Sequence, residues 1–122
     1  MLREVITERV HYFLNENGLY HGEYRDWHKN GRQWEKSYYI NGGLFGEFKL
    51  WDEDGQLVQH CFYKDSSLHG ECKTWNSSGE IELHLFYVDG KSIEIDYPKT
   101  DEELMLFKLK YDLQLLPVEH TC

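Results

Sequence analysis

A chain of 122 residues has room for one domain, which excludes a two-domain enzyme with a cleft between two lobes. Hydrophobic residues make up 40% of the chain and aromatic residues 16%, so it can form a folded core and is not a disordered linker. The 13 Lys and Arg residues face 22 Asp and Glu residues, and the net charge of -9 disfavours binding to nucleic acid or to an anionic membrane. A protein partner is favoured instead, and a basic protein is the electrostatic complement.

The sequence carries no sign of export. It lacks a run of ~20 apolar residues that would span a bilayer, and the start MLREVITERV lacks the basic-then-apolar order of a signal peptide. We therefore expect a cytoplasmic or otherwise intracellular protein that is not secreted.

The chain has an odd number of cysteines, and we expect reduced thiols at Cys61, Cys72 and Cys122.

Residues 1–17 are predicted to form an N-terminal strand segment. Val10, Tyr12 and Leu14 alternate with their neighbours, which is the period of a β-strand. The unpaired edge of such a strand is a place where a partner strand could add to the sheet.

Residues 18–97 are organised by an internal repeat of 24 residues. Three blocks align without a gap: GEYRDWHKNG from Gly22, GEFKLWDEDG from Gly46 and GECKTWNSSG from Gly70. Further columns recur at the same interval: Gly31, Gly55 and Gly79, and Tyr39, Tyr63 and Tyr87. A degraded fourth unit precedes them, with Gly18 one period before Gly42. The agreement of several columns predicts one structural unit built three times.

Each repeat is predicted to be a β-hairpin. Its 24 residues divide into two runs of strand length that turn sequences separate. KNGR, EDGQ and SSGE place a glycine where the turn needs a positive φ, and INGG and VDGK do the same between repeats. Successive hairpins of this kind predict a meandering antiparallel sheet.

Period-two alternation predicts that the two faces of this sheet differ. One face is apolar and carries Tyr20 and Tyr24, Leu44 and Phe48, and Leu68 and Cys72 from successive repeats. The other carries a charge pair and a tryptophan from each repeat: Glu23, Arg25 and Trp27; Glu47, Lys49 and Trp51; and Glu71, Lys73 and Trp75. Side chains stacked across the strands would stabilise both faces.

Residues 98–122 change from the strand period to the helix period. Thr100 and Glu103 form a capping box, and the apolar run after them predicts a helix from about Asp101 to Leu116, ended by Pro117. The apolar stripe of this helix consists of Leu104, Phe107, Tyr111 and Leu115. We expect the helix to cap the open end or the apolar face of the sheet, and a helix that docks on a partner is the alternative.

This pattern resembles the MORN repeat variant, specifically the YwqK-type antitoxin-like repeat family, which is also common in large DNA viruses. The resemblance covers roughly Gly18 to Lys91 and rests on the Gly-Glu-aromatic-x-x-Trp block, the Asn-Gly or Asp-Gly turn and the Tyr-x-Asn/Asp-Gly closure. It implies a sheet that grows by one hairpin per repeat and a role in binding or scaffolding with no common reaction. The chain departs from the pattern at Ser66, where the turn loses its glycine, and at Cys72, where an aromatic is expected. Both departures weaken the junction between the middle and last repeats.

The tryptophan row is the candidate partner surface, because three regularly spaced tryptophans would expose more apolar area than a monomer usually tolerates. The candidate residues are Trp27, Trp51 and Trp75, together with Glu23, Glu47 and Glu71. Burial of these tryptophans in the core, or against each other, is the alternative.

Chemical sites are not expected. His60 and His84 share a column and His69 lies three residues before Cys72, but the repeat itself produces this spacing, so we expect no metal site. Cys72 replaces an aromatic residue on the apolar face, which favours a packed thiol over a nucleophile. The recurring glutamates each have a basic neighbour two residues on, which favours solvated ion pairs over acid and base catalysis. We identify no site that breaks the repeat, as an active site would.

The expected fold class is an all-β repeat: a single meandering antiparallel sheet of 24-residue hairpin repeats with a C-terminal capping α-helix. The expected function is a non-enzymatic, cofactor-free module for protein interaction or scaffolding, acting through its aromatic face and strand edges or by self-association. Two alternatives are an antitoxin-like protein that neutralises a toxin partner and a structural component of a large assembly such as a virion. We expect neither a nucleic-acid ligand nor a membrane.

Overall fold

The computed structural model describes residues 1–93 and 100–110, in which eleven strands form one antiparallel sheet and one helix follows. The strands are β1 (Arg3–Ile6), β2 (Val10–Leu14), β3 (Gly22–Trp27), β4 (Gln33–Ile40), β5 (Gly43–Leu44), β6 (Gly46–Trp51), β7 (Leu57–Lys64), β8 (Ser67–Leu68), β9 (Gly70–Trp75), β10 (Ile81–Val88) and β11 (Lys91–Ile93), and the helix is α1 (Asp101–Lys110). Their order in the sheet is β1-β2-β3-β4-β6-β7-β9-β10-β11, while the short strands β5 and β8 pair with β4 and β7. The predicted meander of hairpins is confirmed.

Each long hairpin is closed by a turn that an aspartate or asparagine stabilises. In the second repeat the N–H of Asp52 donates to the carbonyl of Gln56 at 2.9 Å. The carboxylate of Asp52 accepts two further N–H groups of the turn, at 2.9 and 3.0 Å, and Asn76 plays the same part in the third repeat. Gly55 completes the turn at a φ of 85°, which residues with a Cβ rarely adopt. Recurring local chemistry therefore places a turn once in every 24 residues.

The turns between repeats are tight and connect each repeat to the one before it. Both central residues have positive φ at Asn41 and Gly42, at Asp65 and Ser66, and at Asp89 and Gly90. The second N–H of each turn donates to a carbonyl of the preceding repeat, at 2.8 Å from Gly42 to Tyr20 and 2.9 Å from Ser66 to Leu44. The Ser66 hydroxyl also accepts the N–H of Leu44 at 3.0 Å. The turn at Ser66 thus forms without its glycine, and the serine adds a hydrogen bond across the junction.

The degraded fourth unit is the hairpin β1–β2. His11 Nε2 lies 2.8 Å from Glu4 Oε2, a contact that recurs in later repeats. The predicted equivalence of Gly18 and Gly42 is wrong. The N–H of Gly18 donates to the carbonyl of Asn15, as Gly55 donates to Asp52, so Gly18 belongs to the longer type of turn.

The sheet has a small hydrophobic core, formed by a few side chains of neighbouring strands. The buried hydrophobic residues of the described chain are Cys61, Phe62, Cys72 and Phe86. Most other strand residues are half-buried. The structure therefore depends on cross-strand contacts and turn hydrogen bonds more than on a deep interior.

The expectation of reduced thiols is wrong for Cys61 and Cys72, which form a disulfide. The two residues lie on β7 and β9, where the pairing of His60 with Lys73 brings the next residues, Cys61 and Cys72, opposite each other. Their Cα atoms are 4.0 Å apart. Cys72 is therefore not the packed free thiol that its column predicted, because antiparallel pairing supplies a second cysteine. Cys122 lies outside the described residues.

The predicted helix is present from Asp101, and its start is capped as the sequence predicts. The Thr100 hydroxyl accepts the N–H of Glu103 at 3.1 Å. The predicted continuation to Leu116 and the side chains of Leu104, Phe107, Tyr111 and Leu115 lie outside the described residues, so the capping role stays a prediction. Within the described chain, no helix has the length and apolar character needed to cross a membrane.

Candidate interaction surface

The structure places the three predicted tryptophans in a row on one face of the sheet. Trp27, Trp51 and Trp75 end the strands β3, β6 and β9, and one long strand lies between each pair. Strands are ~4.8 Å apart, so the tryptophans recur about every 10 Å. All three are half-buried, which leaves part of each ring system accessible.

A β-bulge shapes the sheet next to each tryptophan. In the first repeat Asp26 pairs with Glu35 and Trp27 pairs with Gln33, so that Trp34 is the extra residue. The same shift occurs beside Trp51 and Trp75. A bulge increases the local twist of the strands and redirects side chains. Each of the three hairpins therefore has the same local distortion next to its tryptophan.

Trp34 is an interaction candidate that the sequence reasoning missed. It is 41% exposed, and its ring stacks on His28, with 4.6 Å between the ring centres and 11° between the planes. His28 is buried and donates from Nε2 to the carbonyl of Trp51 at 2.8 Å. The sequence alone could have identified Trp34, because the same column of the repeat holds Val58 and Glu82, and only the first repeat has a tryptophan there.

The predicted glutamates lie on the same face and are held by basic side chains. Glu47 Oε2 is 3.7 Å from Lys49 Nζ, as the spacing along the strand predicted. A closer partner comes from the next strand, where His60 Nε2 lies 2.7 Å from the same oxygen. Glu71 has the same arrangement, with His84 at 2.7 Å. The sequence reasoning missed these histidines because the contact is diagonal between paired strands.

The first repeat varies this arrangement. Glu23 Oε1 lies 3.7 Å from Arg25 Nε, and the guanidinium carbon of Arg25 lies 5.4 Å from the centre of the Trp27 ring. Tyr38 contributes a hydroxyl that hydrogen-bonds Glu23. Burial, followed by the negative charges of Glu23 and Glu47, raises the pKa of Tyr38. The hydroxyl therefore stays protonated and remains a donor at neutral pH.

The histidines of this face do not converge. His60 and His84 contact different glutamates, and Cys61 and Cys72 are joined to each other. Among residues 1–93 and 100–110, no group of three or more His, Cys, Asp or Glu side chains has the arrangement of a metal site.

Comparison with protein families identifies the repeats. Residues 46–65 and 68–89 match the MORN repeat variant. Residues 46–89 are thus similar to two successive repeats of this variant. The matched stretches are the hairpins β6–β7 and β9–β10, and the hairpin β3–β4 has the same register: Gly22 opposite Tyr39, Gly46 opposite Tyr63, and Gly70 opposite Tyr87. MORN repeats are generally linked to modules that contact proteins or membranes. The search of curated proteins found no match for the chain.

Proposed function

We propose that this MORN-repeat protein is a non-catalytic interaction or scaffold module whose tryptophan face binds a protein partner. One observation carries the proposal. The same half-exposed tryptophan, with charged neighbours, recurs on every second long strand of the sheet. Tryptophan and arginine are the residues most enriched at the energetic centres of protein interfaces.

The contacts around the row support a preformed surface. The carboxylate of Glu47 is held by His60 and Lys49, and Glu71 is held in the same way by His84 and Lys73. Side chains held in one arrangement lose less conformational entropy on binding. This arrangement favours a partner that docks across several repeats.

The finer proposals concern the partner and its location. An antitoxin-like role requires one dominant basic toxin protein, and an assembly role requires many co-purifying particle or shell proteins. We propose an intracellular location, which includes the interior of a virion. The Cys61–Cys72 disulfide weighs against the reducing cytosol, because protein thiols there are mostly kept reduced.

Affinity capture from the native source, with quantitative mass spectrometry, tests the proposal. The baits are the wild-type chain, Trp51→Ala and the control Ile6→Ala, which removes a side chain of an exposed residue on β1. We expect a stoichiometric protein partner whose recovery falls at least tenfold with Trp51→Ala and is unchanged with Ile6→Ala. Circular dichroism and melting confirm that each bait is folded.

Two results would overturn this proposal. One is equal recovery of the partner by wild type and Trp51→Ala, which would assign the tryptophan to the core. The other is a lone homodimer in light scattering with no captured protein, which would assign the surface to self-association.

A further inference from the structure

The apolar face of the sheet carries two carboxylates in the first repeat. Asp26 occupies the column that holds Leu50 and Thr74 in the next repeats. Glu35 occupies the column of Gln59 and Leu83. Two carboxylates therefore stand where the other repeats carry no charge.

Strand pairing brings these two carboxylates together. Asp26 on β3 lies directly opposite Glu35 on β4, so both side chains leave the same face of the sheet. The Tyr24 hydroxyl donates to Asp26 Oδ2 at 3.3 Å, and the buried Ser37 hydroxyl donates to Glu35 Oε2 at 3.0 Å. Asp26 Oδ1 is buried without a hydrogen-bond partner. One acceptor of the pair is thus unsatisfied.

No basic side chain of the described residues lies within ion-pair distance of either carboxylate. Burial raises the pKa of Asp26 and of Glu35, and the charge of Asp26 raises the pKa of Glu35 further. A hydrogen bond from the Glu35 backbone and one from Tyr24, followed by the charges of His28 and Arg9, lower the pKa of Asp26 by less than burial raises it. Two neighbouring carboxylates without a cation are unfavourable for the free protein, and a bound cation would relieve that repulsion.

Four tyrosines border the pair. The rings of Tyr12, Tyr20, Tyr24 and Tyr39 contact one another with centre distances of 5.0 to 6.1 Å. Tyr20 is 38% exposed, so the cluster opens to solvent. The electron-rich faces of tyrosine rings attract cations, and guanidinium groups also stack on them.

We propose that this tyrosine–carboxylate patch, formed by Tyr12, Tyr20, Tyr24, Asp26, Glu35 and Tyr39, binds an arginine side chain of a protein partner. A guanidinium group fits because its planar fork can donate to two carboxylates while its face stacks on a ring. The proposal rests on the proposed function, since it names the chemistry of a partner that the module would bind. It places this contact on the face opposite the tryptophan row.

The second repeat shows which residues can replace the two carboxylates in a test variant. Asp26→Leu with Glu35→Gln installs the residues that the chain itself carries at positions 50 and 59. Asp26→Asn with Glu35→Gln is the isosteric version, in case leucine perturbs the fold. The control is Glu53→Gln with Glu80→Gln, which removes the same charge from two exposed turn positions.

The first test needs no partner. N-acetyl-arginine amide is titrated into the full, isotope-labelled chain and followed by NMR, with the lysine and citrulline amides as comparison probes. We expect saturable shifts centred on β3 and β4, strongest for arginine and weakest for the neutral citrulline. Affinity should fall at least tenfold in both patch variants and stay unchanged in the control.

Shifts of equal size with citrulline, or arginine binding unchanged in the patch variants, would overturn the assignment. So would stronger binding of the lysine probe, because the proposed site depends on a planar guanidinium.

The same variants serve as baits in the affinity capture. A partner that is lost with Trp51→Ala and retained by the patch variants would refute this inference while leaving the proposed function intact. Arginine binding with no captured partner would support the site and refute the proposed function.

Discussion

Gly70 lies directly beneath the side chain of Phe62, so closely that a Cβ built at Gly70 would be 3.1 Å from the Cβ of Phe62. The φ of Gly70 is 123°, a conformation that residues with side chains rarely adopt. Gly22 lies in the same way against Phe13, at 3.7 Å from the nearest ring atom. The leading glycine of the repeat thus allows an aromatic residue of the preceding strand to pack on the backbone.

Gly70→Ala should destabilise the protein more than Gly79→Ala. Both glycines have positive φ, which costs alanine roughly 1–2 kcal/mol. A Cβ at Gly79 meets no atom within 4 Å, whereas a Cβ at Gly70 also displaces buried Phe62, which adds about 1–3 kcal/mol. Urea unfolding measures the difference. Equal losses for the two variants would show that the contact with Phe62 contributes nothing.

The disulfide between Cys61 and Cys72 predicts a definite thiol count. Under denaturing conditions without reductant, one of the three cysteines should react with an alkylating agent, and all three should react after reduction. Because the bridge closes a short loop between β7 and β9, its reduction should lower the free energy of unfolding by about 2–4 kcal/mol. Mass spectrometry gives the count and urea unfolding gives the stability. Three reactive thiols before reduction would contradict the bridge.

Glu35→Gln should stabilise the protein at pH 7. Burial raises the pKa of Glu35 above its usual range, so the native state holds this proton over a pH window in which the unfolded chain has lost it. The free energy of unfolding therefore falls as pH rises through that window, and the loss is complete above the raised pKa. Glutamine removes this loss, so the variant should exceed wild type at pH 7 and approach it below about pH 4.

Urea unfolding across pH measures this effect, with Glu80→Gln as the exposed control. The control should stay within about 0.5 kcal/mol of wild type at every pH. A Glu35→Gln protein that is less stable than wild type at pH 7 would disprove the destabilising role of the carboxylate. A stabilised variant that also loses arginine binding would show the trade-off between stability and function that is typical of binding sites.

The contact between Glu47 and His60 should stabilise the fold weakly. Both side chains are partly exposed, and pairs of this kind contribute about 0.2–1 kcal/mol. A double-mutant cycle with Glu47→Ala and His60→Ala measures the coupling energy. The same cycle at Glu71 and His84 should give the same value within error, because the distance is 2.7 Å in both repeats. Coupling in one repeat alone would show that the repeats are not equivalent in solution.

The hairpins could be predicted because their information is local. Gly31, Gly55 and Gly79 all have positive φ, at 86°, 85° and 82°, as the turn sequences required. The alternation of Glu47, Lys49 and Trp51 likewise placed these residues on one face, because side chains of a strand alternate by geometry. Turn chemistry and period-two alternation therefore predicted the sheet and the row of tryptophans.

Contacts between strands were predicted less well. The disulfide and the Glu47–His60 contact join residues of different strands, and alternation along one strand does not show which side chains meet. The pairing of Asp26 with Glu35 was also missed, although each residue breaks its column in the repeat alignment. The columns that recur in every repeat predict the shared hairpin, whereas a residue that differs from its column does not show which side chain lies opposite it.

The sequence by itself determined the 24-residue unit, its turns, its two distinct faces and the start of the C-terminal helix at Asp101. These features follow from backbone preferences and side-chain alternation within short stretches of chain. Only the tertiary structure decided that Cys61 meets Cys72, that His60 meets Glu47 and that Asp26 faces Glu35. The reason is physical: the register between strands, including one bulge per hairpin, sets which distant side chains are neighbours, and cross-strand hydrogen bonds and packing determine that register together.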